Sequence, residues 1–189
     1  QFASSAASDV YKRQAYDPAL IWNATDNEYL VVWSGDQAAG NNQFEIFGQR
    51  LDATVSLLDT NFRISNVLDS SAQYDAEQPA LTWNAANNEY LVAWSGEILE
   101  NDELEIAGQR ISATGQGLGQ DFRISFATAA NADYDATEPA VVWNAVTGNY
   151  QVAWTSDQHG SNTDDECEIF GPIVHNSGSV VGTAPRVTV

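Results

Sequence analysis

Every position from Tyr29 to Trp33 is apolar or aromatic, and a strand built there turns Tyr29, Val31 and Trp33 to one face and Leu30 and Val32 to the other. Both faces are apolar, so both need a cover that one small sheet cannot give itself. The stretch EYLVVWS (28–34) returns as EYLVAWS (89–95) and as NYQVAWT (149–155). Each copy follows a shorter apolar run, PALIWN (18–23), PALTWN (79–84) or PAVVWN (139–144), across a four-residue turn, ATDN, AANN or AVTG. Asn and Gly in those turns suit a hairpin. A third strand is predicted in FEIFGQRLDA (44–53), LEIAGQRISA (104–113) and the divergent CEIFGPIVHN (167–176). A fourth is predicted in NFRIS (61–65), DFRIS (121–125) and PRVTV (185–189). No segment sustains a capped helical stripe.

The copies keep a ruler. Trp22, Trp83 and Trp143 lie 61 and 60 residues apart, as do Trp33, Trp94 and Trp154. Gly48–Arg63, Gly108–Arg123 and Gly171–Arg186 each span 15 residues, while the step from second Trp to Gly is 15, 14 and 17. A fixed period signals repeat architecture, and a fixed frame with one variable loop is a usual arrangement for recognition. Four antiparallel strands with two greasy faces, repeated about every 60 residues, describe blades of a β-propeller. The fold class is therefore all-β, a partial propeller of about three four-stranded blades at 15–66, 67–126 and 127–189. The six Trp residues named above are its expected structural bulk, with Trp33 and Trp94 filling the space between blades. Three blades are fewer than the four to eight of closed rings, so the remaining blades of a parent chain, or association of chains, must cover the ends.

Charge narrows the partners. The chain carries 26 acids against 7 bases, a net charge of −19. Nucleic acid is excluded as a favoured partner, because its phosphates would be repelled. No apolar run approaches the roughly 18 residues that span a bilayer, so membrane insertion is not expected. The one Cys, Cys167, has no partner in the chain for a disulfide. Residues 1–14 match no later copy, and DVYKRQ (9–14) resembles a translated transposon end from sequencing-library preparation. They are set aside as a scar, and the chain reads as a metagenomic fragment.

The pattern PAL-WN…NEYLVVW…EIFGQR-DA-G…FRIS resembles a propeller-type repeat of large secreted or surface proteins of bacteria, over nearly all of Ala15–Val189. Copy three departs from it, with Pro172 and Ile173 in place of Gln and Arg. The resemblance implies an extracellular or cell-surface location more than a chemistry. The Ser-x-Asp-x-Gly-x-Thr-Trp box of sialidases, the Gly-His…Trp-Asp signature of WD repeats and the Asp-x-Asp-x-Asp-Gly loop of integrin-type repeats are absent.

Candidate chemistry gathers in the variable loops (35–45, 96–105 and 156–168) and in the blade connections, YDP (16–18), YDAEQP (74–79) and YDATEP (134–139). Asp102, Glu103, Glu105, Asp164, Asp165 and Glu168 offer oxygen ligands for Ca2+, although no spacing matches a dedicated calcium loop. Tyr74, Asp75, Tyr134 and Asp135 are the ligand-face candidates, with the two rings able to stack on sugars. Glu45, Glu105 and Glu168 recur before an Ile, and Arg63, Arg123 and Arg186 recur in strand four, which suggests structural ion pairs of about 0–1 kcal/mol each. The Gly of EIFGQR is expected to admit a neighbouring aromatic ring. His159, His175 and Cys167 occur only in copy three, and no nucleophile elbow or His-Glu-x-x-His motif is present.

The favoured expectation is a non-catalytic interaction module presenting acidic loops to a protein or glycan ligand, with no catalytic residues. One alternative is a fragment of a propeller-fold carbohydrate-active hydrolase or lyase, which needs acid and base carboxylates near the axis. The runs PALIWN, PALTWN and PAVVWN bring none. A second alternative is a set of spacer repeats in an adhesin.

Overall fold

A computed structural model describes residues 14–36, 43–66, 75–97, 103–126, 135–157 and 167–188. The first sheet is β1 (Ala15–Asn23), β2 (Glu28–Asp36), β3 (Phe44–Asp52) and β4 (Leu57–Arg63). The second is β5 (Ala76–Asn84), β6 (Glu89–Glu97), β7 (Leu104–Ser112) and β8 (Phe122–Arg123). The third holds β9 (Ala136–Asn144), β10 (Asn149–Ser156), β11 (Glu168–Phe170), β12 (Ile173–His175) and β13 (Val180–Val181). Strands pair antiparallel in chain order, β1-β2-β3-β4 and β5-β6-β7-β8. The chain folds as part of a β-propeller.

Copy three is where the strand pattern departs. Its third strand breaks at Gly171–Pro172, and β10 pairs with β11 on one side of the break and β12 on the other. Pro172 has no N–H to give the ladder. Its fourth strand begins at Val180–Val181 against β12 and touches down again only at the Phe170–Arg186 bridge. In the first sheet the fourth strand also starts earlier than NFRIS, at Leu57.

The hairpins between first and second strands close on an Asn. The side-chain oxygen of Asn23 accepts from the N–H of Thr25 and Asp26, and Asn84 and Asn144 repeat the arrangement. The last turn residue, Asn27, Asn88 or Gly148, takes positive φ (61, 51 and 68°), which these residue types tolerate.

Two cores lie between the sheets, and each joins the back of one sheet to the front of the next. Leu30, Val32, Ile46 and Ile64 meet Tyr90, Val92 and Trp94. Leu91, Ala93, Ile106 and Ile124 meet Tyr150, Val152 and Trp154. This is the mutual cover that the two-faced strand demands. Trp94 is 0% exposed and Trp154 2%. Trp33 is half-buried, stacked on Phe47 at 6.1 Å, because no preceding sheet lies over it among the described residues.

Polar ties run through the same junctions. Asn23 Nδ2 donates to the Tyr90 hydroxyl (3.0 Å), and Asn84 Nδ2 to that of Tyr150 (3.1 Å). Burial pushes the Tyr150 phenol far above its ordinary value. Ser34 and Ser95 donate to the carbonyls of Ala76 and Ala136, at the start of the next sheet.

Truncating Trp94 to Ala removes the largest fully buried side chain. The expected loss is about 3–5 kcal/mol in denaturant unfolding, with a smaller loss for Trp33→Ala. Equal losses would contradict the packing order described.

Candidate functional site

The recurrent Glu and Arg are placed first, because they close the outer edge of every sheet. Arg63 pairs with Glu45, Arg123 with Glu105, and Arg186 with Glu168, all within their own sheet. The guanidinium Nε of each also donates to a carbonyl two residues on, in Ser65, Ser125 and Thr188. The Ser65 and Ser125 hydroxyls donate to the second carboxylate oxygen of Glu45 and Glu105 while accepting from the N–H of Ile46 and Ile106. Thr188 accepts from Ile169 N in the third sheet (3.2 Å). The middle pair is more buried than the surface pairs expected from the sequence. Glu105 is 1% exposed, since the neighbouring sheet covers it. The glycine expectation holds at Gly48 and not at Gly108. A Cβ at Gly48 would lie 2.8 Å from the Phe62 ring, an aromatic of its own sheet, and one at Gly108 would meet Ile124.

Glu105 and Glu168, proposed above as calcium ligands, therefore face arginines. Glu103 immediately precedes β7, and Asp102, Asp164 and Asp165 lie outside the described residues. Among the described residues no group of three or more acidic, His or Cys side chains is placed to hold a metal ion. Asp75 and Asp135 staple adjacent sheets. Asp75 Oδ1 accepts from Phe44 N (2.8 Å), and Asp135 Oδ1 from Leu104 N (2.9 Å). Tyr74, Tyr134 and His159 lie outside the described residues. His175 Nδ1 lies 2.9 Å from Asn149 Oδ1, and Cys167 is exposed.

A different set of acids emerges at the centre, where β5 lies against β1 on one side and β9 on the other. Each first strand extends upstream of its Pro, through a break in register between residues 16 and 19, 77 and 80, and 137 and 140. The residue before Pro, Asp17, Gln78 or Glu138, has φ of 50, 53 and 53°. A left-handed non-glycine costs of order 1–3 kcal/mol and persists only where its surroundings fix it. Bulges of this kind re-aim a side chain at the end of a ladder. Gln78 Oε1 accepts from Glu138 N (2.9 Å), which locks the second and third bulges together. Beside them, Glu77 is pushed above the usual carboxylate range by partial burial, then by the charges of Asp75 and Asp17. The inner strands thus bring Asp17, Glu77 and Glu138, where the shorter runs read from the sequence bring no acid. An acid directly before Pro reads as a turn in sequence, which hides its place in the strand.

No family model matches the chain, and no curated protein matches it. Solved structures do resemble it. An exo-β-1,3-galactanase from Clostridium thermocellum superposes with a TM-score of 0.59 at 14% identity, over 93% of this chain and 38% of the galactanase. An endo-arabinase from Bacteroides thetaiotaomicron gives 0.58 at 16%, over 91% and 60%. An N-acetylgalactosamine deacetylase from F. plautii, solved with blood group B trisaccharide, gives 0.57 at 10%, over 91% and 53%. The chain spans between 38% and 60% of the length of these proteins. At such identities the likeness establishes the fold. The expectation of a non-catalytic chain is corrected by it, since these are enzymes built on the same propeller frame.

The outer-edge pairs give a test of their own. Glu105→Ala leaves Arg123 and Ser125 without their buried partner, and should cost about 3–5 kcal/mol. Glu45→Ala should cost less, because Arg63 is 37% exposed. Urea midpoints of both variants decide the order.

Proposed function

We propose that this chain forms part of the hub of a propeller-fold carbohydrate-active enzyme, with Asp17, Glu77 and Glu138 as its contribution to the reaction centre. One observation carries the reading. The frame residues repeat from sheet to sheet, but the three matched bulges carry Asp, Gln and Glu. A strained position whose residue type changes from copy to copy is not explained by holding the sheets together. Glycan-processing activity in solved proteins of the same fold supports the reading.

Glycoside cleavage needs one carboxylic acid to protonate the leaving oxygen and one carboxylate to activate water or attack the sugar. Asp17 and Glu138 stand in the sheets on either side of the one that carries Gln78. Partial burial first, and then the charges of Asp75 and Asp17, favour the protonated form of Glu77, which makes it the candidate proton source. Fixing two of the bulges through Gln78 limits the freedom of Glu138 before substrate arrives.

The test is release of reducing ends from arabinan and β-1,3-galactan. Asp17→Asn and Glu138→Gln should each lower kcat by about 10²–10⁴-fold with the fold intact by circular dichroism. Glu77→Gln should remove or shift the alkaline limb of the pH profile, where a raised carboxylic acid loses its proton. Activity unchanged in both Asp17→Asn and Glu138→Gln would sink the assignment.

A further inference from the structure

The two end faces of the described arc are unlike the junctions inside it, and they differ in opposite senses. At the first inner junction the Phe62 ring presses on the turn of the next sheet at Gly115, where an added Cβ would lie 2.7 Å from the ring. At the second, Phe122 meets Gly178, with an added Cβ at 3.2 Å. Both glycines have positive φ, 87 and 91°. On the leading face of the first sheet the same turn position holds Val55, at φ 65° and 66% exposed. On the trailing face of the third sheet the aromatic position holds Pro185, whose carbonyl accepts from Gly171 N as Phe62 pairs with Gly48. The bulky member has shrunk on one face, and the small member has grown on the other.

The remaining features of the two faces also match. A hollow of about 250 Å3 lies on the leading face, lined by Trp33, Phe47 and Gly35 among others. Inside the arc, Ile46 and Ile64 share the cluster that buries Trp94, and Ile106 and Ile124 the one that buries Trp154. Their counterparts in the third sheet are Ile169 and Val187, the latter 61% exposed. Asn23 and Asn84 are 0% exposed beneath the tyrosine of the next sheet, whereas Asn144 is exposed and, among the described residues, no such Asn meets Tyr29. The trailing face also loses a charge pair. Arg50–Glu28 and Arg110–Glu89 become Ile173 and Asn149, with Ile173 44% exposed.

We propose that the trailing face of the third sheet seats on the leading face of the first sheet of a second copy of this chain. Pro185 then meets Val55, Ile169 and Val187 fill the hollow over Trp33, and Asn144 reaches the Tyr29 hydroxyl. A blade of the inner kind fits neither face as well. Its Phe would collide with Val55, and its Gly would leave a gap against Pro185. Two copies bring six sheets, within the range of closed rings. The proposal concerns surfaces away from the carboxylate cluster and does not depend on the enzyme reading.

Light scattering with size exclusion on the full 189-residue chain tests it. The expected mass is twice the 20.5 kDa of one chain, and higher multiples would carry the same junction without closure. Each copy carries −19, so association should strengthen as salt rises from about 0.05 to about 0.5 M. Pro185→Phe should weaken it at least ~10-fold by overpacking against Val55. Adding Val55→Gly to that variant should restore it, since the pair then copies the inner junctions. Val55→Trp, on the opposite face, should weaken it as Pro185→Phe does. A single-chain mass at every concentration would overturn the proposal and leave a further blade of a longer chain as the occupant. So would association that ignores Pro185→Phe and Val55→Trp, or a double variant no tighter than Pro185→Phe alone.

Discussion

The structure depends on one packing relation: the Tyr-Val-Trp face of a second strand lies on the Leu-Val or Leu-Ala face of the strand before it. Each sheet is too small to bury either face, and each is greasy on both. Stacking solves the problem for the middle sheet, where every residue of β6 from Glu89 to Gly96 is buried. It cannot solve it for the first and third, which keep Leu20 at 65% and Val142 at 56% exposed. The junction, more than the sheet, is the unit of stability, as in other repeat architectures.

That dependence explains where polar groups are buried. Asn23 and Asn84 each use one amide atom to close their own hairpin and the other to hold the next sheet's tyrosine. Tightening the turn and aligning the sheets are therefore the same act. The Tyr150 hydroxyl also donates to Glu89 (2.9 Å), which Arg110 holds in turn. A buried network of this kind stabilises only when every member is satisfied. The third sheet is consistent with this rule. Its Asn144 holds no tyrosine of a following sheet among the described residues, and it lacks both the Arg and the Glu rather than one of them.

Much of this was legible in the sequence. The period, the four strands and the burial of Trp94 follow from alternation and spacing alone. The buried character of the Glu105–Arg123 pair was not legible, because a Glu before an Ile looks the same on an exposed edge as under a neighbouring sheet. The inner-strand acids were missed for a backbone reason. Asp17 and Glu138 precede Pro, and a residue before Pro reads as the end of an element. The left-handed bulge carries the strand across that point, and nothing in local propensity predicts it. Asp75 and Asp135 read as ligand-facing because they sit in acidic connections, yet their oxygens accept from the backbone of the preceding sheet.

The division between frame and chemistry follows from how strain is distributed. Trp, Asn, Glu and Arg recur because each sheet faces nearly the same neighbours, so the same side chains satisfy them. The bulges recur in backbone form, yet their side chains differ, and strain of this kind needs a rigid surround. The junction cores supply it: β1, β5 and β9 are clamped from behind by packing and from the side by the Asn–Tyr and Gln78–Glu138 bonds. A frame that repeats can therefore hold three equivalent strained positions and still let each carry a different group. A repeat protein builds an asymmetric centre on a symmetric scaffold in this way, and the carboxylates at Asp17 and Glu138, with an amide at Gln78 between them, have that asymmetry.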